Sequence, residues 1–498
     1  MISLARSRTA LGLTAAVFVA SRVALLEVTP LASDTTLYAR YAFEMQFAAR
    51  VGIPFYALDA QLERRKAAAQ QSPEDATMGY PPLALELLAL PALWTDGIPP
   101  NLVVGDRLVG QYTRAFRVMT ALLDVAVLAV VVWLSRRVRP GEGAPATAAR
   151  ILAYTAAGGL LVHLIYDRLD LWLGAAVLGS LAWLVSGPRW WQAWVLLAVA
   201  IELKLVPLLL VPLWLVGSLP AADLRALRAR TAARAVVLPA AIRLGVLTLS
   251  VLAIHAPFLL RDGRPSLGFL RFHASRGLHV ESLYSSLLLP FGGLLPEHIV
   301  PRFGGYELAS SLSPWFARLA PLLVSAVALS GPWLLLRRLR GAPQSDGSTA
   351  VSPTMASSDP EGMIGCCAFV LLGSVVASSV FSPQYLLWSV PLLPLVVPAA
   401  WGWRRSVAFY AAVAAMSALT TAIFPYLYYS DVLGFYAPSR APTALGVAVL
   451  LARNALGVGI AVAIARSLIP GRQGPGGLSG AGEALTSLQA AKSTDSAG

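Results

Sequence analysis

Tyr80-Pro81-Pro82-Leu83-Ala84-Leu85-Glu86-Leu87-Leu88-Ala89-Leu90-Pro91-Ala92-Leu93-Trp94 is the stretch on which the topology of this chain turns. It is apolar enough to enter a bilayer but short for crossing one, since a spanning helix takes about 20 residues. If it crosses, every later loop changes side; if it dips or lies on the surface, none does. Arginines decide between the two. With no crossing, Arg6 and Arg8, Arg136, Arg137 and Arg139, Arg225, Arg228, Arg230 and Arg234, Arg337, Arg338 and Arg340, and Arg404 and Arg405 all share one side. With a crossing, all the later clusters oppose the N-terminus. Positive charge gathers in cytoplasmic loops, so the stretch reads as a re-entrant or surface helix.

Outward from it, the chain is hydrophobic helix joined by short basic loops. Of its 498 residues 57% are hydrophobic and 13% charged, against about 25% charged in a soluble domain. Long continuous apolar runs recur, where a barrel strand would alternate. The fold class is therefore all-α, a polytopic membrane bundle. Twelve spans are expected, at 9–28, 115–135, 150–166, 169–186, 190–203, 205–218, 235–259, 314–336, 363–381, 384–400, 406–425 and 441–466. Residues 1–470 form one transmembrane domain. Within it, 29–114 is a first outer loop with surface helices, 260–313 a second large outer loop and 341–362 a flexible cytoplasmic loop; 471–498 reads as a disordered tail.

The net charge of +13 is what basic cytoplasmic loops produce, and nucleic acid is not an expected partner. The apolar run after Arg6 and Arg8 is interrupted by Arg22 and lacks a clean cleavage site, so it reads as a retained first span rather than a signal peptide. Cys366 and Cys367 are adjacent; neighbours rarely reach disulfide geometry, and both are expected as reduced packing residues.

With this parity, Asp34, Tyr80, Asp167, Arg168, Asp170, Lys204, Arg276, His279, Glu281, Gln384 and Tyr385 all fall on the outer face. Each has two readings. Asp34 can take a proton from an acceptor hydroxyl, or Ser33 and Asp34 can cap the helix over 34–50, whose apolar face is expected at Leu37, Tyr41, Met45 and Ala48. Asp167-Arg168-Leu169-Asp170 is a binding loop or a solvated turn with Asp170 as cap. Lys204 binds a phosphate or snorkels to the interface. Arg276 to Ser282 suits an anionic head group, or is generic interfacial anchoring. Ser382-Pro383-Gln384-Tyr385 is a helix–loop–helix turn or part of a site. Tyr38, Tyr80 and Tyr385 stack on sugars or form an interfacial aromatic belt.

Taken in order, Asp34, Tyr80-Pro81-Pro82-Leu83, Lys204 with Pro207, Arg276-Gly277 through Glu281-Ser282, and Ser382-Pro383-Gln384-Tyr385 with Trp388 resemble the GT-C superfamily of integral-membrane glycosyltransferases. The resemblance covers most of residues 10–400 and is nearest to the polyprenyl-phosphate-sugar-dependent group called glycosyltransferase family 87, which includes mannosyltransferases. It implies a helical bundle with a long first outer loop and chemistry on the non-cytoplasmic face of the plasma membrane. It also implies a polyprenyl-phosphate sugar as donor and a hydroxyl of a cell-envelope glycan or glycolipid as acceptor.

The resemblance gives Asp34 the position of the family's general base. The phosphate would be held by Lys204 and Arg168, with Arg276 and His279 as further candidates. Tyr38, Tyr80, Asp167, Asp170, Glu281, Gln384 and Tyr385 would contact substrate. Asp167–Asp170 matches a second acidic loop that binds metal or donor in some relatives. The first motif is a single Asp followed by Thr-Thr rather than a paired Asp-x-Asp, which leaves use of a divalent metal open. A transporter or flippase of lipid-linked sugars is the rival class. Such proteins often carry internal repeats with paired broken helices, and no such duplication stands in this sequence.

Overall fold

A computed structural model describes residues 2–29, 33–56, 58, 79–97, 105–187, 189–226, 233–291, 298–341, 354–398, 400–436 and 441–470. The main helices are α1 (Ile2–Val28), α2 (Ser33–Val51), α3 (Pro82–Ala89), α4 (Asp106–Val138), α5 (Ala144–Gly159), α6 (Asp170–Ser186) and α7 (Trp190–Leu203). After them come α8 (Val211–Ser218), α9 (Ala233–Asp262), α10 (Gly268–Ala274), α11 (Ser313–Gly341), α12 (Pro360–Ala377), α13 (Trp403–Thr421) and α14 (Ala444–Ser467). Among the described residues seven helices are long and apolar enough to cross a membrane, and four apolar helical stretches are shorter. The chain is a multi-pass helical bundle. Its outer surface agrees: Leu238, Leu249 and Leu252 on α9 and Leu322 and Leu329 on α11 are exposed, an apolar surface that water would not tolerate. By contrast α12 is buried among its neighbours.

Two expected spans are corrected. The one at 150–166 stops at Gly159, and turns carry the chain to Asp170. The one at 384–400 is a 3₁₀ turn (Pro383–Trp388) and a short helix (Leu393–Val396). Pro383, Pro391, Pro394 and Pro398 explain it, since each lacks the N–H that a continuous helix needs. The fold also departs from all-α in the second large loop. There β1 (His298–Arg302) pairs antiparallel with β2 (Gly305–Ala309). Phe303 and Gly304 between them both have positive φ, 52° and 67°, the two-residue turn that matches strand twist.

The parity question is answered by two contacts. Arg117 of α4 donates from Nη1 to the carbonyl of Thr29, at the end of α1, at 2.8 Å. Thr113 donates to Thr35 Oγ1 at the start of α2, also at 2.8 Å. The chain therefore leaves α1 and enters the bilayer-long part of α4 at the same end of the bundle. The helical stretch Pro82–Trp94 between them is about 20 Å long, short of the ~30 Å hydrocarbon core.

From Arg117 to Arg139, α4 runs about 33 Å to the opposite end. There Arg139 pairs with Glu361 at 2.7 Å, and Arg338 forks onto Asp359. Arg150 pairs with Glu142, and Thr354 bridges to Pro220. The described part of the expected flexible loop, 354–362, is thus built into the bundle. Asp359 caps α12, accepting from the Gly362 N–H at 2.9 Å. Residues 342–353, the charged stretch 61–71 and the tail 471–498 lie outside the described residues.

Inside the bundle Arg22 bonds Asp124 at 2.8 Å. Asp124 also accepts from Tyr154 and Tyr166, so α1, α4 and α5 meet at one charged knot. Cys366 and Cys367 are buried thiols.

Candidate functional site: a cationic cavity at one end of the bundle

Lys204 ends α7, where Pro207 follows and the chain turns into a short 3₁₀ segment, Val206–Leu210. Its ammonium bonds Asp170 Oδ1 at 2.8 Å, and the same oxygen accepts from Trp388 Nε1 at 2.6 Å. Asp170 opens α6 and Trp388 closes the Pro383 turn, so three elements are locked at one carboxylate. The ammonium also lies 4.6 Å from the Tyr385 ring and 5.1 Å from that of Trp388. Those two rings stack at 4.2 Å. A cation over paired aromatics is held by the ring faces.

Beside this knot opens a cavity of about 270 Å³. Lys204, His273, Arg276, Tyr385 and Trp388 line it together with apolar Leu205, Val206, Leu209, Val324 and Val375. Arg276 reaches the Tyr385 hydroxyl at 3.4 Å, and no carboxylate pairs with it among the described residues. Its Nε is buried without a partner, as is the Ser374 hydroxyl on the cavity wall. Buried polar atoms left open inside a cavity are what a polar ligand would satisfy.

Of the residues expected at the site, Lys204, Arg276 and Tyr385 meet here, with Asp170 behind them. Tyr80 and Tyr38 join hydroxyl to hydroxyl at 3.1 Å. Burial pushes the Tyr80 phenol well up, helped by Tyr38 and Asp170 and opposed by Arg168. The ring is thus neutral and belongs to the same electrostatic neighbourhood.

Others are engaged elsewhere. Asp167 is held by Arg117 through two bonds, 2.6 and 2.8 Å, and reads as a structural anchor rather than a substrate contact. Glu281 bonds Arg453 at 2.9 Å, while Asn454 donates to Glu281 and Ser282 carbonyls. This pair ties the second loop to α14. Burial raises the Glu281 carboxyl to about 7 against the pull of Arg453.

His279 is buried against the hairpin, where a Cβ on Gly305 would stand 3.1 Å from its Nε2, and its backbone N–H donates to the Ser379 carbonyl. Burial, with Arg276 and Arg453 nearby, lowers its imidazole to about 3. The Arg168 guanidinium stands 5.8 Å over the Phe424 ring. Neither Arg168, His279 nor half-buried Gln384 lines the cavity.

Asp34 lies in the first turn of α2, and its side chain is outside the described residues. The helix over 34–50 forms; of its expected apolar face Ala48 is buried and Tyr41 and Met45 pack half-buried on the Phe55–Tyr56 cluster, while Leu37 is 40% exposed, and a second buried face is Thr35, Tyr38, Ala39, Ala42 and Phe43. Small Ala39 and Ala42 let α2 sit close, and Tyr38 packs on Phe116 of α4.

His273 and Ser374 line the cavity and were not singled out by the sequence reading. One signal existed: His273 stands only three residues before Arg276, at the end of α10. As for a metal, no group of three or more His, Cys, Asp or Glu among the described residues could hold one. Asp167 and Asp170 do not fit a divalent ion, being already bonded to Arg117 and to Lys204 with Trp388.

No family model matches the chain, and no curated protein does. Among solved structures it is similar to ArnT from Cupriavidus metallidurans, crystallised bound to undecaprenyl phosphate. Identity is 16% and the TM-score 0.39, over 92% of this chain and 77% of that one. A likeness that loose carries no argument; the cavity carries the functional reading.

Proposed function

We propose that the chain is a GT-C-type glycosyltransferase of the plasma membrane that uses a polyprenyl-phosphate sugar. One observation supports it above all: Arg276, a cation with no carboxylate partner among the described residues, and Lys204 share a cavity that apolar side chains also line. A phosphate joined to an isoprenoid chain offers groups for both kinds of lining. Two cations aimed at one phosphate stabilise the charge that develops when it leaves.

In this reading the acceptor hydroxyl attacks the anomeric carbon in line, its proton passes to Asp34, and the bond from that carbon to the phosphate oxygen breaks. A C–O bond forms as another breaks, the anomeric centre inverts, and polyprenyl phosphate departs. The sugar is a hexose or pentose, with mannose favoured by the resemblance, and the acceptor a glycan or glycolipid of the cell envelope. The cavity opens on the non-cytoplasmic face. This is supported by its distance from the end that holds Arg137, Arg139, Arg338 and Arg405, given that basic loops stay inside. No step needs a metal.

The test is transfer by the purified protein from labelled polyprenyl-phosphate hexoses and pentoses to an envelope glycolipid extract. Transfer from one of them is expected, with Arg276→Gln lowering kcat/KM by about 10²–10³ and Asp34→Asn abolishing it in a folded protein. No transfer from any donor in the panel would overturn the reading.

A further inference from the structure

His273 stands three residues before Arg276, on the last turn of α10, with its ring on the cavity wall. Its Nε2 lies 3.0 Å from the Gly79 carbonyl oxygen. A carbonyl only accepts, so Nε2 must carry the proton. In a neutral ring Nδ1 is then a bare lone pair. Neutrality is favoured here: burial, with Lys204 and Arg276 close by, brings the imidazole down to about 4. No partner meets Nδ1 among the described residues.

The other polar groups around the cavity are of a different kind. The Lys204 ammonium and the Arg276 guanidinium only donate. Trp388 donates to Asp170, and both Asp170 interactions hold that carboxylate behind the wall. The Tyr385 and Ser374 hydroxyls can donate or accept. His273 Nδ1 is thus the ring atom on this wall whose protonation state makes it an acceptor alone. A ligand group satisfying it must be a donor, and on a sugar phosphate the phosphate has none to offer while the ring hydroxyls do.

Resting on the glycosyltransferase reading, we infer that His273 is a specificity-determining residue: with Nε2–H tied to Gly79, its Nδ1 accepts a hydrogen bond from one hydroxyl of the donor sugar bound beside Lys204 and Arg276. The Gly79 tie fixes the ring. A Cβ at Gly79 would stand 2.8 Å from Phe272, so Gly79 itself packs directly on α10.

The two functions of the ring can be separated. A glutamine amide nitrogen reaches the Nε2 position and can keep the Gly79 tie, but it offers nothing at Nδ1. An asparagine amide oxygen falls near Nδ1 and can accept there, but it loses the tie. With the purified protein and its active lipid-phosphate sugar, kcat/KM is measured for wild type, His273→Gln and His273→Asn, each with the donor and its monodeoxy analogues. Sites built to bond a substrate hydroxyl reject analogues without it. His273→Gln is expected to lose about 10–100-fold, and at least tenfold more than His273→Asn. One monodeoxy donor should be poor for wild type and no poorer for His273→Gln. A greater loss in His273→Asn, or equal losses across all deoxy donors in both proteins, overturns the inference. Wild type that transfers no sugar at all overturns instead the reading on which it rests.

Discussion

At the scale of single residues, the charged groups divide into those that hold the bundle and those that face the cavity. Asp167 belongs to the first kind. Removing its charge leaves the Arg117 guanidinium, also bonded to the Thr29 carbonyl, buried without its counter-ion. Breaking one side of a buried pair costs about 3–5 kcal/mol. Asp167→Asn should therefore lower the melting midpoint in detergent clearly, and the double variant Asp167→Leu with Arg117→Met should recover part of it. An unchanged midpoint in the single variant would contradict the anchor role.

His279 gives a pH signature. Folded, it stays neutral down to about pH 3; unfolded, it takes a proton near 6.5. Between those values the unfolded chain binds more protons, so this contribution to stability rises with pH and is complete above about 6.5. The melting midpoint of His279→Gln should consequently track wild type near pH 7 with a shallower fall on acidification. Parallel curves would show that His279 does not titrate in this way.

At the scale of elements, the decisive feature is where α1 ends and α4 begins to cross. The bonds from Arg117 and Thr113 to Thr29 and Thr35 put both on one side. Asp96, bonded to Gln111 and Arg107, is on that side and exposed. In intact cells Asp96→Cys should react with an impermeant maleimide, while Arg137→Cys should react only after permeabilisation. Native Cys366 and Cys367 are fully buried, which keeps the background low. Labelling of Arg137→Cys from outside would invert the topology.

Much of this was legible in the sequence because it follows from hydropathy and charge counts. Span positions and the short length of Pro82–Trp94 are of that kind. The hairpin at 298–309 was not, since Pro301 and polar neighbours mask strand alternation. Nor was the broken segment 383–396 read as such, because its apolar run hides four prolines' effect on hydrogen bonding. At the site, Lys204, Arg276 and Tyr385 were legible as charges and aromatics at span ends. The ion pairs of Glu281 and Asp167 were not legible, because nothing local announces that Arg453, 172 residues away, and Arg117 would bond them.

At the scale of the whole molecule, the question is whether the bundle transfers or transports. The polar cavity lies at one end, the Arg139–Glu361 and Arg338–Asp359 pairs tie elements together at the other, and the interior between them holds the Arg22–Asp124 knot. An enzyme needs access from one side only. Purified protein in detergent, with no second compartment, should release polyprenyl phosphate from its donor. Protein in sealed vesicles should leave a lipid-linked sugar probe on its original leaflet. Movement of the probe without chemistry would favour the flippase.

The Arg22–Asp124 bond also sets an order of events during synthesis. Alone in lipid, an arginine within a helix costs about 2.5–3.5 kcal/mol by insertion scales. Its partner is 102 residues further along, about 5–20 s of translation. For that interval α1 lacks the carboxylate that stabilises it in the bilayer, while the entire outer segment is being exported. Biogenesis of this protein therefore depends on something holding the first helix, the insertion machinery or the interface itself, until α4 arrives.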